Sequence, residues 1–316
     1  MKYVVDVGGC DNPQDVIKGV EETLEQTNAN LVVFGKEELI RSVLSAKATS
    51  NPRLEIVNAE ETITNNDSPM TAIRFKKKSS LVLALKRLAS DEECGAIISA
   101  GSTGAVLCGA TVILGRRPDV ERPTLATLLP SDKGGFVLLA DCGANVDCRP
   151  EQLLSFAKLG SECFAKMFDK ESPTVAMLSV GTEDKKGNEL TKSAFALIKE
   201  SGLNFIGNIE AKTIISGDAD VIVCDGFDGN VVLKCTEGTA VSVAKRMMKL
   251  LATCAPQGTD LTFTKVALKK LFETLDFTSQ GGAFLLGVKK AVIKAHGAAN
   301  AQTVVSCVKQ ALSMCE

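Results

Sequence analysis

The stretch AIISAGSTGAVL, residues 96–107, decides the class of fold. It begins with an apolar run, passes through a turn of glycines and hydroxyl residues, and ends in apolar residues. This order predicts a buried strand, a turn and the start of a helix. Glycines let a backbone approach a ligand closely, and the first N–H groups of a helix carry partial positive charge. The turn therefore predicts either an anion site or a serine-capped turn without a ligand. The residues of this candidate anion site are Ser99, Gly101, Ser102, Thr103 and Gly104.

Four other apolar runs end in the same way, in a loop that combines glycine with polar residues. Because these runs alternate with helical patterns, we expect a three-layer, Rossmann-like α/β fold with a mostly parallel sheet and helices on both faces. We also expect the polar loops to gather on one edge of that sheet. No linker or repeat divides the chain, so residues 1–316 are predicted to form one domain. The four runs are 3–5, 136–140, 174–180 and 221–224.

The loop after the first run offers a second candidate ligand edge. Asp6 and Asp11 flank a glycine pair that includes Gly9. Acids at the carboxyl end of a strand face the ligand side of an open α/β sheet. The alternative is a polar turn in which Asp11 or Asn12 caps the next helix.

Composition limits the partners and the compartment. The chain has 316 residues, with 36 Lys and Arg against 38 Asp and Glu, so no overall positive charge favours nucleic acid. With no Trp and one Tyr it has little to stack on bases. Eleven cysteines without paired spacing indicate a reduced, cytoplasmic protein. We predict neither a signal peptide nor a membrane span, since no apolar run approaches ~20 residues.

Two basic segments are candidates for contact with an acidic partner or surface. Arg74, Lys76, Lys77 and Lys78 form a dense cluster, which is either a solvated face or a docking site. Residues 236–277 predict two amphipathic helices joined as a hairpin, with basic residues beside the apolar stripes. Such a hairpin lies on an anionic membrane, or packs on the core or on another subunit.

The residue inventory narrows the chemistry. His296 is the single histidine, which excludes a multi-histidine metal site and leaves either a structural residue or a ligand contact. No GxSxG elbow occurs, and most free cysteines are small buried apolar residues, so a catalytic thiol is not expected. Anion-binding backbone, Lys, Arg and side-chain amides remain. They suit a reaction whose nucleophile is itself an anion such as phosphate, positioned and stabilised electrostatically.

Eight motifs together resemble the bacterial phosphate acyltransferases of phospholipid synthesis, in that family's order and over nearly the whole length. The resemblance implies a fold similar to the isocitrate and isopropylmalate dehydrogenases, without nicotinamide or any other cofactor. The chain departs from the family at Cys10 in the first loop, at Ser102 where asparagine is usual, and at Phe284 where proline is usual. The motifs are SAGSTGA (99–105), ERPTLATLLP (121–130), DCGANVDCRPEQL (141–153), KGNELTK (186–192), NFIGNIE (204–210), DGFDGNVVLK (225–234), GGAFLLGV (281–288) and HGAAN (296–300).

The resemblance implies that inorganic phosphate attacks the thioester of a fatty acyl-carrier protein, which gives acyl phosphate and the free carrier thiol. Our hypothesis places phosphate at loop 99–104 and makes Asn145, Asn188 and Asn230 candidate donors to the thioester oxygen as it gains charge. Lys185 or Lys186 would stabilise that charge or the leaving thiolate. Further candidates for substrate binding are Asp6, Gly9, Asp11, Asp141, Gly143, Asp225, Gly226, Gly229 and His296.

The expected partners follow from the same resemblance. Carrier proteins are acidic, so the cluster from Arg74 to Lys78 would dock one. The family's product feeds a membrane enzyme, so the hairpin 236–277 would contact the inner face of the cell membrane peripherally. The resemblance also suggests a homodimer. Two other interpretations stay open: a dehydrogenase or a coenzyme A-dependent acetyl- or butyryltransferase of similar fold, and a scaffold for membrane or carrier protein that has lost activity.

Overall fold

The computed structural model describes residues 1–254, 260, 262–275 and 281–315, except for the side chains of 272–275. The described strands are β1 (Lys2–Asp6), β2 (Asn30–Gly35), β3 (Leu54–Asn58), β4 (Cys94–Ser99), β5 (Thr124–Pro130), β6 (Phe136–Ala140), β7 (Val175–Ser179), β8 (Phe205–Glu210), β9 (Val221–Val223), β10 (Ala283–Leu286) and β11 (Ala291–Lys294). The described α-helices are α1 (Pro13–Gln26), α2 (Glu37–Val43), α3 (Ala46–Thr49), α4 (Pro69–Phe75), α5 (Ser80–Ser90), α6 (Thr103–Gly109), α7 (Pro150–Phe168), α8 (Glu189–Lys199), α9 (Gly226–Cys254), α10 (Thr262–Leu275) and α11 (Ala301–Cys315).

All described strands join one sheet in the order β3-β2-β1-β4-β11-β10-β5-β6-β9-β7-β8. Among their ten pairings seven are parallel, and the three antiparallel ones lie in the middle, at β11–β10, β10–β5 and β5–β6. The predicted mostly parallel sheet is therefore correct. The antiparallel centre joins two parallel halves.

Alternation along the strands produces the three layers. In β1, Tyr3 and Val5 pack in the cluster that includes α1, α7 and α11, whereas Val4 packs in the cluster that includes α4, α5 and α6. Successive side chains of a strand point to opposite faces, so a strand that is apolar throughout needs helices on both sides. These strands have that composition, and both faces of the sheet are covered.

The expectation that all polar loops gather on one edge is wrong. Three antiparallel pairings separate β11 from β6, so the strands of the second half run opposite to those of the first half. The loops after β1, β4 and β11 therefore leave from one edge, and the loops after β6, β7 and β9 leave from the other. Only features that cross the face of the sheet can bring the two groups together.

Helix α9 is such a feature, and it begins earlier than the sequence pattern indicates. The stretch 225–230 reads as a glycine-rich loop, but the helix already starts at Gly226. The predicted helical hairpin is present as α9 and α10, while its expected turn at 256–258 lies outside the described residues. Val243, Met247 and Met248 of the apolar stripe are exposed, whereas Ala244 is buried. No helix in the described ranges has the length and apolarity that a membrane crossing requires.

Candidate functional site

A cavity of about 400 Å³ lies at the centre of the sheet, where the antiparallel strands separate the two halves. Its walls come from both groups of loops. Gly101 and Thr103 follow β4, Gly143 follows β6, and α9 contributes the wall between them. The other residues that line it are Asn65, Leu125, Thr127, Cys142, Asn230, Leu233, Lys234, Glu237, Gly281, Gly282, Ala283, Lys294, Ala295, His296 and Gly297.

The loop 99–104 is held to the first strand by a buried hydroxyl. Ser99 Oγ donates to Asp6 Oδ2 at 2.7 Å and accepts from the Gly101 amide at 3.2 Å. Asp6 Oδ1 accepts from the Gly8 amide at 3.1 Å. Gly9 adopts a φ of +71°, and a Cβ there would lie 2.1 Å from the Ile63 carbonyl oxygen. The two glycine loops are thus fixed as a unit.

The start of α6 lies at the cavity. Ser102 is buried and its carbonyl accepts from the Val106 amide, while the Thr103 side chain is exposed toward the cavity region. Gly104 packs against Pro69 of α4, where a Cβ would come within 2.8 Å of the ring. The first amides of a helix have no intrahelical acceptor. Because α6 continues into a π-helix at Ala110–Leu114, a longer helical segment stands behind these amides.

Asp6, at the end of β1, supports loop 99–104. It is buried, and burial raises the pKa of its carboxyl, while the hydrogen bonds from Ser80, Ser99 and Gly8 favour the charged form. Asp6 does not line the cavity. Its place in the structure is the junction between β1 and β4.

Lys294 is a residue that the sequence reasoning missed. It is the last residue of β11, aligned with Ser99 of β4 and with Ala283 of β10, and it lines the cavity. Its side chain is buried, and burial lowers its pKa to about 8. A lysine at the end of the apolar strand sequence AVIK was the available signal.

His296 follows two residues later and lines the same cavity. Its Nδ1 accepts from the Ala298 amide at 3.2 Å, so a neutral ring carries its proton on Nε2. Burial and the nearby Lys234 lower the pKa of His296. The Asp11 amide donates to the Gly297 carbonyl at 3.0 Å, which ties the first loop to this segment.

In the loop after β6, the side chain of Asp141 accepts hydrogen bonds from the loop itself. Asp141 Oδ1 accepts from the amides of Leu125, Gly143 and Ala144, at 2.9–3.3 Å. Its Oδ2 accepts from the Asn145 amide at 2.9 Å and from Asn145 Nδ2 at 2.7 Å. Burial nevertheless raises the pKa of Asp141. Asn145 Nδ2 also donates to the Pro123 carbonyl, and only Gly143 of the predicted residues in this loop lines the cavity.

Two glycines bring α9 against that loop. The Asp225 carboxylate accepts from the amides of Phe227 and Asp228 at the start of the helix. The Gly226 amide donates to the Asn145 carbonyl, and a Cβ on Gly229 would lie 1.8 Å from the Asp141 carbonyl oxygen. This close approach places Asn230 on the cavity wall.

The loop after β7 lies apart from the cavity. Lys185 and Lys186 are exposed, and Lys186 is 4.0 Å from Glu183. Asn188 is the N-cap of α8, where its Oδ1 accepts from the Thr191 amide at 2.9 Å. The structure therefore does not bring these three candidates to the cavity that Asn230 lines.

Two of the four cations of the basic cluster form ion pairs, and the Arg74 guanidinium lies over the Phe75 ring, 5.5 Å from its centroid. Lys76 forms an ion pair with Asp67 at 2.8 Å and Lys78 with Glu60 at 2.9 Å. Arg74 and Lys77 instead line a separate, largely apolar cavity of about 250 Å³. The other residues of that cavity are Met70, Ile73, Val82, Lys86, Val112 and Ile113.

The thiols near the cavity are in environments that suppress the thiolate. Burial raises the pKa of Cys10 to about 11, and it raises that of Cys142 far above its ordinary value. The thiolate is the nucleophilic form of cysteine. These positions do not favour a covalent intermediate on sulfur.

The fold has relatives among solved structures. A branched-chain phosphotransacylase from Enterococcus faecalis V583 superimposes with a TM-score of 0.65 at 14% identity, covering 100% of this chain and 99% of that one. A structure described as a putative 4-hydroxythreonine-4-phosphate dehydrogenase from Salmonella typhimurium gives a TM-score of 0.57 at 13% identity, with 99% of both chains covered. At such identities the similarity shows a common fold, shared by transferases and dehydrogenases.

Sequence relatives define the class. The family model described as "Fatty acid synthesis protein" matches residues 1–316. The phosphate acyltransferase of Clostridium novyi (strain NT) is 40% identical over 318 residues, covering 100% of this chain and 95% of the relative. The protein is an acyltransferase, and its chemistry is acyl transfer that involves phosphate. The chain belongs to the bacterial phosphate acyltransferase family.

Proposed function

We propose that the protein transfers a fatty acyl group reversibly from acyl-carrier protein to inorganic phosphate, and that the acyl phosphate serves phospholipid synthesis. The single observation that carries this proposal is the central cavity, in which Gly101 and Thr103 of the glycine loop share the lining with amide and amine side chains, while the lining thiol, Cys142, is held in its protonated form. Family membership supports the transfer to phosphate.

The reaction needs no covalent enzyme intermediate. An oxygen of hydrogen phosphate attacks the thioester carbonyl carbon, the carbon–sulfur bond breaks, and the carrier leaves as a thiol because its sulfur takes up the proton that the phosphate loses. Negative charge develops on the carbonyl oxygen during the attack, so a fixed donor there stabilises the transition state. Asn230 lines the cavity, whereas the amides of Asn145 and Asn188 serve the protein's own turns. We therefore assign the donor role to Asn230 among the three.

Loop 99–104 is the proposed phosphate site, with the neighbouring residues in support. Gly101 and Thr103 line the cavity, and Ser99, Asp6 and Gly9 hold the loop in place. Phosphate binding at glycine turns before helices follows from unpaired amides and the helix dipole. Lys185 and Lys186 stay candidates for stabilising the carrier thiolate only if the bound carrier covers their loop.

The carrier protein is proposed to dock at Arg74 and Lys77. These cations border an apolar depression, which suits a partner with acidic residues around an apolar patch. Arg74→Glu or Lys77→Glu should raise the KM for acyl-carrier protein by roughly tenfold and leave the KM for phosphate unchanged. Lys78→Glu is the matched control, because Glu60 already pairs with Lys78. Equal effects of all three variants would contradict docking at this depression.

Peripheral membrane contact is proposed for the hairpin of α9 and α10. Val243, Met247 and Met248 are exposed beside Lys245 and Arg246, a combination that binds anionic lipid surfaces. Val243→Asp combined with Met247→Asp should abolish sedimentation with phosphatidylglycerol vesicles, whereas Ile206→Asp on β8 should not.

The protein is also proposed to be a homodimer, which light scattering measures on the same samples. Loss of the dimer together with normal vesicle binding would assign this stripe to the subunit interface instead.

The test of the reaction is acyl phosphate formation from a long-chain acyl-carrier protein and inorganic phosphate, with no other cofactor. The proposal expects product that depends on phosphate. Activity with acyl-coenzyme A alone would instead assign the protein to the coenzyme A-dependent transferases. Carrier binding without product would indicate a scaffold.

A further inference from the structure

Lys294 occupies the centre of the sheet at the edge from which loop 99–104 leaves. Its register partner in β4 is Ser99, the first residue of that loop, and its partner in β10 is Ala283. It lines the central cavity and also a small adjoining void of about 10 Å³. Among the described strand residues that line the central cavity, Lys294 is the only cation.

The burial of this amine is unusual for a lysine. Lys294 is 7% exposed, and it is the only buried lysine or arginine among the residues whose side chains the structure describes. Lysines ordinarily bury the stem and keep the ammonium in water. An ammonium that has left water is costly unless an anion or several acceptors surround it.

Among the described residues the carboxylates of Asp6 and Asp11 attract this ammonium electrostatically, but neither forms an ion pair with it. The Lys294 ammonium donates to the Ala295 carbonyl, and no carboxylate there forms an ion pair with it. Asp6, the nearest buried acid along the strands, is already engaged by Ser99 and Gly8. An ammonium has three donors, so Lys294 keeps donors for a ligand that enters the cavity.

The surroundings make the charge of Lys294 responsive to a bound anion. Burial lowers its pKa to about 8, against the opposing effects of Asp6 on β1, Cys10 and Asp11 in the following loop, and Cys307 on α11. His296, the nearest titratable group on its own segment, has a pKa below its ordinary value and is neutral in this range. An anion beside the amine would therefore restore the charged form.

We propose that the Lys294 ammonium binds the attacking phosphate in the central cavity, beside loop 99–104. The assignment rests on the proposed function, since it names the cation that holds the nucleophile. It makes Lys294 a substrate-binding residue, and it gives a reason for a lysine at a buried strand end.

The first test is calorimetric titration of the full-length protein with inorganic phosphate. Lys294→Met removes the charge at similar volume and should weaken phosphate binding by about 10-fold to 150-fold, the range of one hydrogen bond to a charged group. Lys290→Met is the matched control. The Lys290 amine lies at the other end of the β10–β11 hairpin and donates to the Cys94 carbonyl. The phosphate affinity of Lys290→Met should therefore differ from that of the wild type by less than about twofold.

A second readout separates binding from a structural role. The pKa of Lys294 is about 8 in the folded protein and 10.5 ordinarily, so between these two values the folded state binds fewer protons than the unfolded state. The free energy of unfolding therefore increases as pH rises through this range. At pH 7 Lys294→Met removes a desolvated charge and should raise Tm, although it weakens phosphate binding. If Lys294 had only a structural role, its substitution would instead lower Tm. Wild-type phosphate affinity should also decline above about pH 8.

A wild-type measurement keeps the proposal testable even if the variant does not fold. Phosphate binding at pH 8.5, measured in buffers of different ionisation enthalpy, should take up a proton fraction approaching about 0.8. No proton uptake, or unchanged phosphate affinity in Lys294→Met, would overturn the assignment. Failure of the proposed function looks different: phosphate would bind with these signatures, and acyl-carrier protein with phosphate would yield no acyl phosphate.

Discussion

The loops after β4 and β6 are similar in composition, but they differ in how far their polar groups are engaged in hydrogen bonds within the loop. Both combine glycine with small polar residues at the end of an apolar strand. In the β6 loop, Asp141 accepts five hydrogen bonds from its own loop and from Leu125, so the polar atoms are consumed by the turn. In the β4 loop, Ser99 and Asp6 fix the base, while Gly101, Thr103 and Lys294 face a cavity. We therefore expect the ligand at the β4 loop, where Thr103 and Lys294 line the cavity, although the Gly101 amide itself is engaged by Ser99.

The largest expected effect is on stability, at Asp141. Asp141→Asn replaces an oxygen that accepts two donors by a group that itself donates, so buried amides lose their partners. We expect a loss of about 3–5 kcal/mol in the free energy of unfolding, measured with urea. Asp6→Asn, with fewer donors, should cost about 1–2 kcal/mol. Equal losses of stability in Asp141→Asn and Asp6→Asn would contradict the proposed difference between the two loops.

Helix α9 provides the next comparison, between two glycines. Gly229→Ala places a methyl group against the Asp141 carbonyl and should cost at least about 3 kcal/mol, because the backbone cannot yield locally. Gly238→Ala on the same helix meets nothing within 4 Å and should stabilise by about 1 kcal/mol. Thermal unfolding measures both. A neutral Gly229→Ala would mean that α9 is not held closely against the β6 loop.

Ser99→Ala tests the base of the β4 loop. It removes the donor to Asp6 and the acceptor of the Gly101 amide, so we expect a loss of about 1–2 kcal/mol and weaker phosphate binding. Ser42→Ala, at an exposed helix position, is the control. Stability that falls while phosphate affinity stays at the wild-type value would argue against phosphate at this loop.

The smallest expected stability effect separates two asparagines. Asn188→Ala removes the cap of α8 and should cost about 1 kcal/mol, with turnover close to wild type. Asn230→Ala should leave stability nearly unchanged and lower turnover by about 100-fold. Initial rates and urea unfolding on the same preparations show both. The reverse pattern would return the donor role to Asn188.

Local patterns predicted the elements well, because a run such as Phe136–Ala140 is apolar enough to require burial by itself. The reversal of strand direction depends on the pairings β11–β10–β5–β6, which join distant segments and leave no periodic signal. The start of α9 was hidden because Gly226 and Gly229 suggest a loop, whereas the structure uses them for close packing.

The sequence indicated part of the cavity lining, because glycine and polar residues at strand ends can be recognised locally. Gly101, Thr103, Gly143, Asn230 and His296 were named from sequence and line the cavity. Lys294 was missed because a single lysine after an apolar run is ordinarily exposed, and its burial depends on neighbours from β4 and β10. The sequence did not indicate that Asn188 caps α8, because an asparagine that caps a helix and one that serves a substrate look alike in sequence.

The central claim is that phosphate, the nucleophile, binds at the loop after β4. A crystal structure of the full chain soaked with inorganic phosphate tests this directly. The account predicts a tetrahedral anion between the Gly101–Thr103 backbone and the Lys294 ammonium. An anion found instead at Lys185 and Lys186, with the central cavity unoccupied at the same phosphate concentration, would contradict it.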